Sequence, residues 1–365
     1  MLTQLIFGHA IHRPIRTIVT IAAVAMEVML VLVIVGLTGG MVEEVGKRVE
    51  GVGADIMLQP PNASRLLAFS GAPMTIKIGE KVQTLKYVQS VAPVLLQFNL
   101  SGVDIIWGID PPTFHAVSGG FVFVSGHDME EPDDMLVDDL AAASKHLVAG
   151  QTYHLLDHDF HITGIVEHGK GARIFVQLQT LQDLDGARDK ASLFLIKCTR
   201  PEHTQAVIAD IRSYFSNYEI TPLQDYLSLM TSTALPGMDA FVNSMIGLAV
   251  SIGFLVIFLS MYTTVIERTR EIGVLKSLGA SKAYIVKALL SEASLVCVAG
   301  IVAGIVLSYL VRGFMIAKFP TLPIHLTAEW MIRAAAIAIS SGLFGAAYPA
   351  VMATRKDPVE ALFFE

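Results

Sequence analysis

Four apolar runs interrupt an otherwise mixed pattern. Each can cross a hydrocarbon core of about 30 Å, which takes roughly 20 helical residues. The first is Thr17–Leu37, TIVTIAAVAMEVMLVLVIVGL, and the second Phe241–Thr264, FVNSMIGLAVSIGFLVIFLSMYTT; the third runs from about Leu289 to Val311 and the fourth from about Trp330 to Val351. His12, Arg13 and Arg16 precede the first run as they would in a secretory signal. That run exceeds the usual apolar region of about 7–15 residues and lacks an A-x-A cleavage site, so it is expected to remain as an anchor.

Between the first two runs the pattern changes. GADIMLQ, VDIIWGI, FHITGIV and SLFLIKC are short, rich in Val, Ile and Phe, and end in turn residues, which predicts strands. VDDLAAASKHL and PEHTQAVIADIRSYF have helical spacing. No internal repeat is evident, which leaves room for two unlike lobes, and Pro222–Leu235 is expected to lead back into the second run. At the start, Leu2, Leu5, Ile6 and His9 fall on one side of a helix that would lie along the membrane surface and stop at Pro14.

The predicted fold class is an α-helical membrane protein with four transmembrane helices and a mixed α/β extracytoplasmic domain between helices 1 and 2. The expected division is a cytoplasmic amphipathic helix (1–16), the first span (17–40), the extracytoplasmic domain (41–237), the second span (238–265), a cytoplasmic charged helix (266–284), the third span (285–312), a short extracytoplasmic loop (313–328), the fourth span (329–352) and a cytoplasmic tail (353–365).

Composition agrees with a chain that meets lipid: 53% of residues are hydrophobic and 16% charged, against about a quarter charged in soluble proteins. The net charge of −7 conceals a division, since Met41–Ala240 holds 25 acidic and 14 basic residues. Orientation follows from the short flanks. Arg13 and Arg16 precede the first span; Arg268, Arg270, Lys276, Lys282 and Lys287 lie between the second and third; Arg355 and Lys356 follow the fourth. Positive-inside logic places both termini and the second link in the cytoplasm of a bacterial inner membrane, with the acidic insertion outside. An acidic exterior argues against nucleic acid. Cys198 and Cys297 fall in different phases, so no disulfide is expected.

The link between the second and third spans, ERTREIGVLKSLGASK (Glu267–Lys282), carries six charged residues. Ile272, Leu275 and Leu278 recur every three residues, with Arg268, Arg270, Glu271 and Lys276 around the remainder. Gly279 suits the left-handed position just past a helix end, and Ser281 suits the cap of a following helix. The pattern predicts a short amphipathic helix, a tight break and a new helix. Its charges either enforce topology or frame an apolar stripe offered to a soluble partner.

Other residues invite chemistry. Glu27 sits near the middle of the first span, where a carboxylate must be protonated, paired or wet; dimer contact, gating, substrate contact or a hydrogen bond to a neighbouring helix are the readings. Glu292 lies a turn or two inside the third span, where a structural role is expected. Gly247 and Gly253 lie in the second span, and Gly300-x-x-x-Gly304 in the third is a helix-packing motif. His154, His158, His161 and His168 cluster with Asp157, Asp159 and Glu167, but the strand–turn pattern disperses them and no metal site is predicted. The acidic run His127–Asp139 lacks the spacing of a calcium loop and is expected to be a solvated turn capping a helix near Val137. No catalytic arrangement is visible.

ERTREIGVLKSLGASK, the glutamate of LLSEA and the glycines Gly300 and Gly304 resemble the FtsX/MacB-like (type VII, mechanotransmission) family of ABC transporter permeases. His12–Thr17 is similar to the family's basic turn before its first span, and YPAVMATRKDPVEAL (Tyr348–Leu362) to its tail. The order of span, large ectodomain and three spans also matches, while GADI and VDDLAAASKHLVAGQTYHL resemble its periplasmic core domain more loosely. The resemblance implies a dimer, with a second copy or a paralogue, working on ABC ATPase subunits that bind and use ATP and Mg. It makes Glu267, Arg268, Arg270, Glu271, Leu275, Lys276, Leu278, Gly279 and Ser281 the ATPase-coupling element, with Pro358–Leu362 beside it. It further implies contact with membrane lipid and leaves room for a periplasmic adaptor. The chain itself is expected to bind no cofactor: GMVEEVGKR, from Gly40, misses the G-x-x-x-x-G-K-[ST] phosphate loop in spacing and last residue. The implied work is export or extraction of a lipid, lipoprotein, peptide or drug, or control of an extracytoplasmic hydrolase. The alternative is a membrane-anchored sensor or metal-binding ectodomain without a motor.

Overall fold

The computed structural model describes residues 14–61, 73–99, 104–225 and 238–355. The expected surface helix around Leu2–His9, the lead into the second span beyond Asp225 and the Pro358–Leu362 tail lie outside these residues. The chain divides into two compact units. One comprises the chain up to Gly39, Gly237–Ala317 and the part from Ile324 onward; the other comprises Gly40–Pro236 with Lys318–Pro323.

Helix α1, Pro14–Gly51, has 38 residues. It opens on a proline, whose missing N–H costs nothing in a first turn. At 1.5 Å per residue it is about 57 Å long, well beyond the roughly 30 Å of hydrocarbon, and it continues unbroken past the expected end of the first span at residue 40.

In the α/β unit the elements run β1 (Ile56–Gln59), β2 (Met74–Thr75), α2 (Lys77–Gln83), β3 (Val88–Asn99), β4 (Asp104–Ile109), α3 (Pro111–Ser118), β5 (Phe123–Gly126), β6 (Asp134–Asp138), α4 (Asp139–Lys145), β7 (Thr152–Leu155), β8 (His158–Val166), β9 (Ile174–Gln177), α5 (Leu178–Leu184), β10 (Lys190–Ala191), β11 (Leu193–Cys198), α6 (Thr204–Tyr214) and β12 (Glu219–Pro222). Ten strands form one mixed sheet in the order β12-β1-β11-β3-β4-β9-β6-β8-β5, with β7 also on β8, while β2 and β10 pair separately. Side chains alternate across this sheet. Leu193 and Leu195 of β11, Ala92, Val94 and Leu96 of β3, and Trp107 and Ile109 of β4 enter one shared core. On the opposite face Phe194 and Ile196 join one cluster, while Leu95 and Ile106 join another. Two clusters on one face of a continuous sheet stand where the sequence leaves room for two lobes.

The acidic run divides: Glu130, Glu131 and Asp133 lie in an exposed turn, as expected, and the stretch from Asp134 departs from it. Asp134–Asp138 is strand β6, buried at all five positions. Asp134 Oδ2 accepts from the backbone N–H groups of Glu130 and Glu131 at 2.8 and 2.7 Å. Asp138 Oδ1 caps α4 through Ala141 N at 2.6 Å, so the capping role holds, while the solvation holds for residues 130–133 and not for β6. LLDHD is a two-residue hairpin turn: Leu155 pairs with His158, and Leu156 and Asp157 have φ of 55° and 58°, as a type I′ turn requires.

The helical unit adds α7 (Met238–Glu267), α8 (Thr269–Ser277), α9 (Lys282–Lys318) and α10 (Ala328–Arg355). With α1, the helices α7, α9 and α10 are long and apolar enough to cross a membrane. Val24, Val28, Val31 and Leu32 of α1 share a core with Ile257 and Met261 of α7, Ala293 and Ile301 of α9, and Ala338 and Ala346 of α10. Gly300 and Gly304 admit α1 so closely that added Cβ atoms would meet Val24 in one case and Val28 and the Ala25 carbonyl in the other. Their packing is thus within one chain.

Candidate functional site

The charged link is built from local signals that agree. Helix α7 ends at Glu267 and α8 starts at Thr269, separated by Arg268 with φ of −99°. Past α8, Gly279 takes φ of +90°. Gly279 N–H donates to Lys276 O and Ala280 N–H to Leu275 O, each at 3.0 Å. This pair of bonds is the Schellman arrangement, which satisfies two orphan carbonyls and demands a left-handed residue between them. Ser281 Oγ then accepts from Tyr284 N at 3.2 Å, capping α9.

Three polar contacts hold the link to the helical unit. Arg16 Nη1 of α1 meets Glu267 Oε2 at 2.9 Å. Arg268 Nη1 meets Glu292 Oε2 of α9 at 2.9 Å, with both side chains mostly buried. Lys276 Nζ donates to the Thr354 carbonyl near the end of α10 at 3.1 Å. Beneath them Val265, Ile272, Ile285, Leu289, Ala350 and Ala353 form an apolar cluster.

The expected stripe splits here. Ile272 turns inward, whereas Leu275 and Leu278 are 42% and 79% exposed, with Val274 exposed beside them. A spacing of three drifts about 60° per step around a helix of 3.6 residues per turn, so Ile272 and Leu278 cannot face one way. Arg270, Glu271 and Ser281 are also exposed. The result is an outward apolar patch framed by charge on an element anchored to α1, α9 and α10.

Glu27 is buried inside the helical unit at 3% exposure. Ser341 Oγ of α10 donates to Glu27 Oε1 at 3.1 Å, and Oε2 rests against Gly253 of α7, where any Cβ would overlap it. Among the contacts of the described residues Oε2 has no hydrogen-bond partner. Glu27 therefore contacts neighbouring helices of its own chain, in keeping with the reading of a glutamate bonded to a neighbouring hydroxyl. The carboxylate and Gly253 were each visible in sequence; Ser341 was not, because nothing in the local pattern of α10 marks it.

Three of the four histidines separate into pairs, each with its own carboxylate: His154 with Asp159 at 2.7 Å, His158 with Asp133 at 2.8 Å, and His168 with Asp139 at 2.9 Å, while His161 is exposed on β8. Among the described residues no three His, Cys, Asp or Glu side chains gather as a metal site. Cys198 and Cys297 are both free and buried; burial, with Asp55 adding to it, pushes the Cys198 thiol up.

A polar knot in the α/β unit escaped the sequence reading. Arg173 Nη1 meets Asp138 Oδ2 at 3.1 Å, and Nη2 meets Glu44 Oε1 of α1 at 3.3 Å. Nη2 also donates to the Thr321 carbonyl at 3.4 Å. Gly171 N–H donates to Arg48 O of α1 at 2.8 Å. These bonds fasten the last turns of α1 to the sheet.

A four-span helical unit with a large α/β domain inserted after its first span defines a membrane protein of the permease class. The family models divide the chain likewise: MacB-like periplasmic core domain over residues 17–214 and FtsX-like permease C-terminal over residues 243–358. The chain belongs to the FtsX/MacB-like permease family. It is 25% identical over 388 residues to a macrolide export ATP-binding/permease protein MacB of Sodalis glossinidius, covering 97% of this chain and 59% of the relative. It is 34% identical over 128 residues to a pyoverdine export ATP-binding/permease protein PvdT of Pseudomonas fluorescens, covering 35% of this chain and 19% of the relative. The chain thus spans about three fifths of the curated relative that it matches along nearly its whole extent. Among solved structures it is similar to the periplasmic region of MacB from Actinobacillus actinomycetemcomitans, with TM-score 0.38 and 15% identity over 48% of this chain and 92% of that one.

Proposed function

We propose that this chain is the membrane subunit of an ATP-driven complex whose ATPase lies outside these 365 residues and docks on the link from Glu267 to Ser281. Two copies, or this chain and a paralogue, would stand over two ATPase subunits that bind ATP and Mg. ATP binding would bring the two links together, and the spans would pass that motion to the α/β domains. The work is done on a lipid, lipoprotein, peptide or drug at the far face of the membrane, without passage through the bilayer core. The names of the relatives, macrolide and pyoverdine exporters, support export over the control of a hydrolase. Both termini and the link lie on the cytoplasmic side in this reading.

The observation that carries it is the construction of the link. Leu275 and Leu278 are exposed, while Glu267, Arg268 and Lys276 bind the same element to α1, α9 and α10. An apolar patch that served topology alone would have no need of three anchors. A patch that receives force from a soluble partner needs a rigid mount.

Co-purification with a candidate ABC ATPase subunit tests the proposal. Leu275→Asp and Arg270→Glu are expected to lower its retention at least ten-fold while leaving membrane insertion intact. Undiminished retention in both variants would refute the docking role.

A further inference from the structure

Between β8 and β9 the residues Gly169–Arg173 form a strap against the end of α1. Gly171 takes φ of +68°, and an added Cβ there would enter the Trp107 ring. Its N–H donates to the Arg48 carbonyl at 2.8 Å. Gly51, the last residue of α1, approaches the Gly169 carbonyl so closely that any Cβ would overlap it. Lys170 Nζ donates to the Ser118 carbonyl at 2.8 Å and to the Gly120 carbonyl, which ties the strap to the end of α3.

The strap ends on Arg173, whose side chain is 12% exposed. Its backbone carbonyl accepts from Asp138 N–H at 2.8 Å, extending the pairing of β6 with β9. Nη1 donates to Asp138 Oδ2 at 3.1 Å. Nη2 donates to Glu44 Oε1 of α1 at 3.3 Å and to the Thr321 carbonyl at 3.4 Å. Thr321 lies in the stretch that joins α9 to α10. That stretch, Lys318–Pro323, belongs to the α/β unit, although α9 up to Ala317 and α10 belong to the helical one. One guanidinium thus gathers three segments that are far apart in sequence. The planar fork of arginine suits such a junction, whereas lysine offers a single point charge.

We propose that Arg173 is a positioning residue for the stroke of the complex: it clamps the outer end of α1, the sheet and the α9–α10 stretch into one body. This role rests on the reading of the chain as a membrane subunit driven by an ATPase. In that reading motion enters at the link, which Arg16 ties to α1, Glu292 to α9 and the Thr354 carbonyl to α10. At the far end Glu44 brings α1 to Arg173, and Thr321 brings the connection between α9 and α10. The three helices that hold the link therefore converge again on one side chain. Without it the sheet would follow α1 and leave the α9–α10 stretch behind.

The test uses the full chain in lipid nanodiscs with Arg173→Ala and with Arg173→Lys, which keeps the charge but not the fork. Amide hydrogen exchange reads the clamp without any ATPase. Leu322 N–H is bonded to Phe319 O, and Gly171 N–H to Arg48 O. Both should exchange at least ten-fold faster in Arg173→Ala, and Leu322 should do so in Arg173→Lys, while β11 keeps its protection. Unchanged exchange at Leu322 in Arg173→Lys would overturn the clamp. Loss of protection in β11 in the same variant would mean a structural role alone and would also overturn it.

The stroke itself is read by spin labels at Gln205→Cys, exposed on α6, in a Cys198→Ser, Cys297→Ser background with a candidate ABC ATPase subunit. ATP should change the label separation between two copies, and Arg173→Lys should lose at least half of that change while retaining the ATPase. A full change in Arg173→Lys would overturn the positioning role. No change in the chain with Arg173 intact would instead sink the ATPase reading, and hydrogen exchange would then decide the clamp.

Discussion

Arg268 and Glu292 lie 24 positions apart in sequence and 2.9 Å apart in space, joining the break after α7 to the third turn of α9. Removing one partner strands a mostly buried charge, whereas removing both leaves none. Arg268→Ala and Glu292→Ala should each lower the unfolding midpoint in detergent. The double variant should be milder than the sum, with a coupling of about 1–3 kcal/mol. Strict additivity in the double-mutant cycle would show that the pair is a surface coincidence.

Gly253 and Glu27 make the second prediction. Any side chain at position 253 would overlap the Glu27 carboxylate, whereas Gly247, six residues earlier on α7, has nothing within 4 Å of its added Cβ. The overlapped atoms are the free end of the Glu27 side chain, so Gly253→Ala is met by moving that carboxylate off Ser341. Loss of that buried hydrogen bond costs about 1 kcal/mol, and Gly247→Ala should cost nothing of the kind. In a Glu27→Ala background Gly253→Ala should cost little further. Thermal melts of the four proteins decide the matter.

The parts of this fold that were legible in sequence are those set by a local rule. Spans need only length and apolarity, and the Gly279 and Ser281 turn needs only one left-handed residue and one hydroxyl, so both could be read. β1, β4, β8 and β11 were marked by Val, Ile and Phe between turn residues. β3 was missed because Gln89, Ser90, Pro93 and Gln97 break its apolar run. β6 was missed because Asp134 and Asp138 at its ends disguise a buried centre. In both cases long-range partners rewrite the local signal: Val94 sits between Leu193 and Ile109, and Asp138 faces Arg173. The link shows the same limit. Its charges were all visible, but Arg16, Glu292 and Thr354 became their partners only through the arrangement of α1, α9 and α10, and the inward turn of Ile272 followed from that.

Asp138 gives a pH prediction. Burial holds its carboxyl above the usual aspartate range despite the Arg173 guanidinium beside it. With a folded value above the unfolded one, its contribution to stability is complete below the ordinary aspartate value and is lost as pH rises through the raised value. Asp138→Asn stays neutral throughout, so its stability relative to the wild type should rise as pH climbs from the ordinary aspartate value through the raised one. Unfolding followed by Trp107 fluorescence in a Trp330→Phe background measures this. A gap that is constant with pH, or that moves the other way, would contradict the assignment.

The side of the membrane on which the link lies bears most directly on the account. Ser281 is exposed at the cap of α9 and can be replaced by cysteine in a Cys198→Ser, Cys297→Ser background. A membrane-impermeant maleimide should label Ser281→Cys in inside-out vesicles and leave right-side-out vesicles unlabelled, and added ATPase should slow the inside-out reaction at least ten-fold. Labelling from the outer face, or labelling that the ATPase leaves unchanged, would contradict the proposal that this link receives the motor.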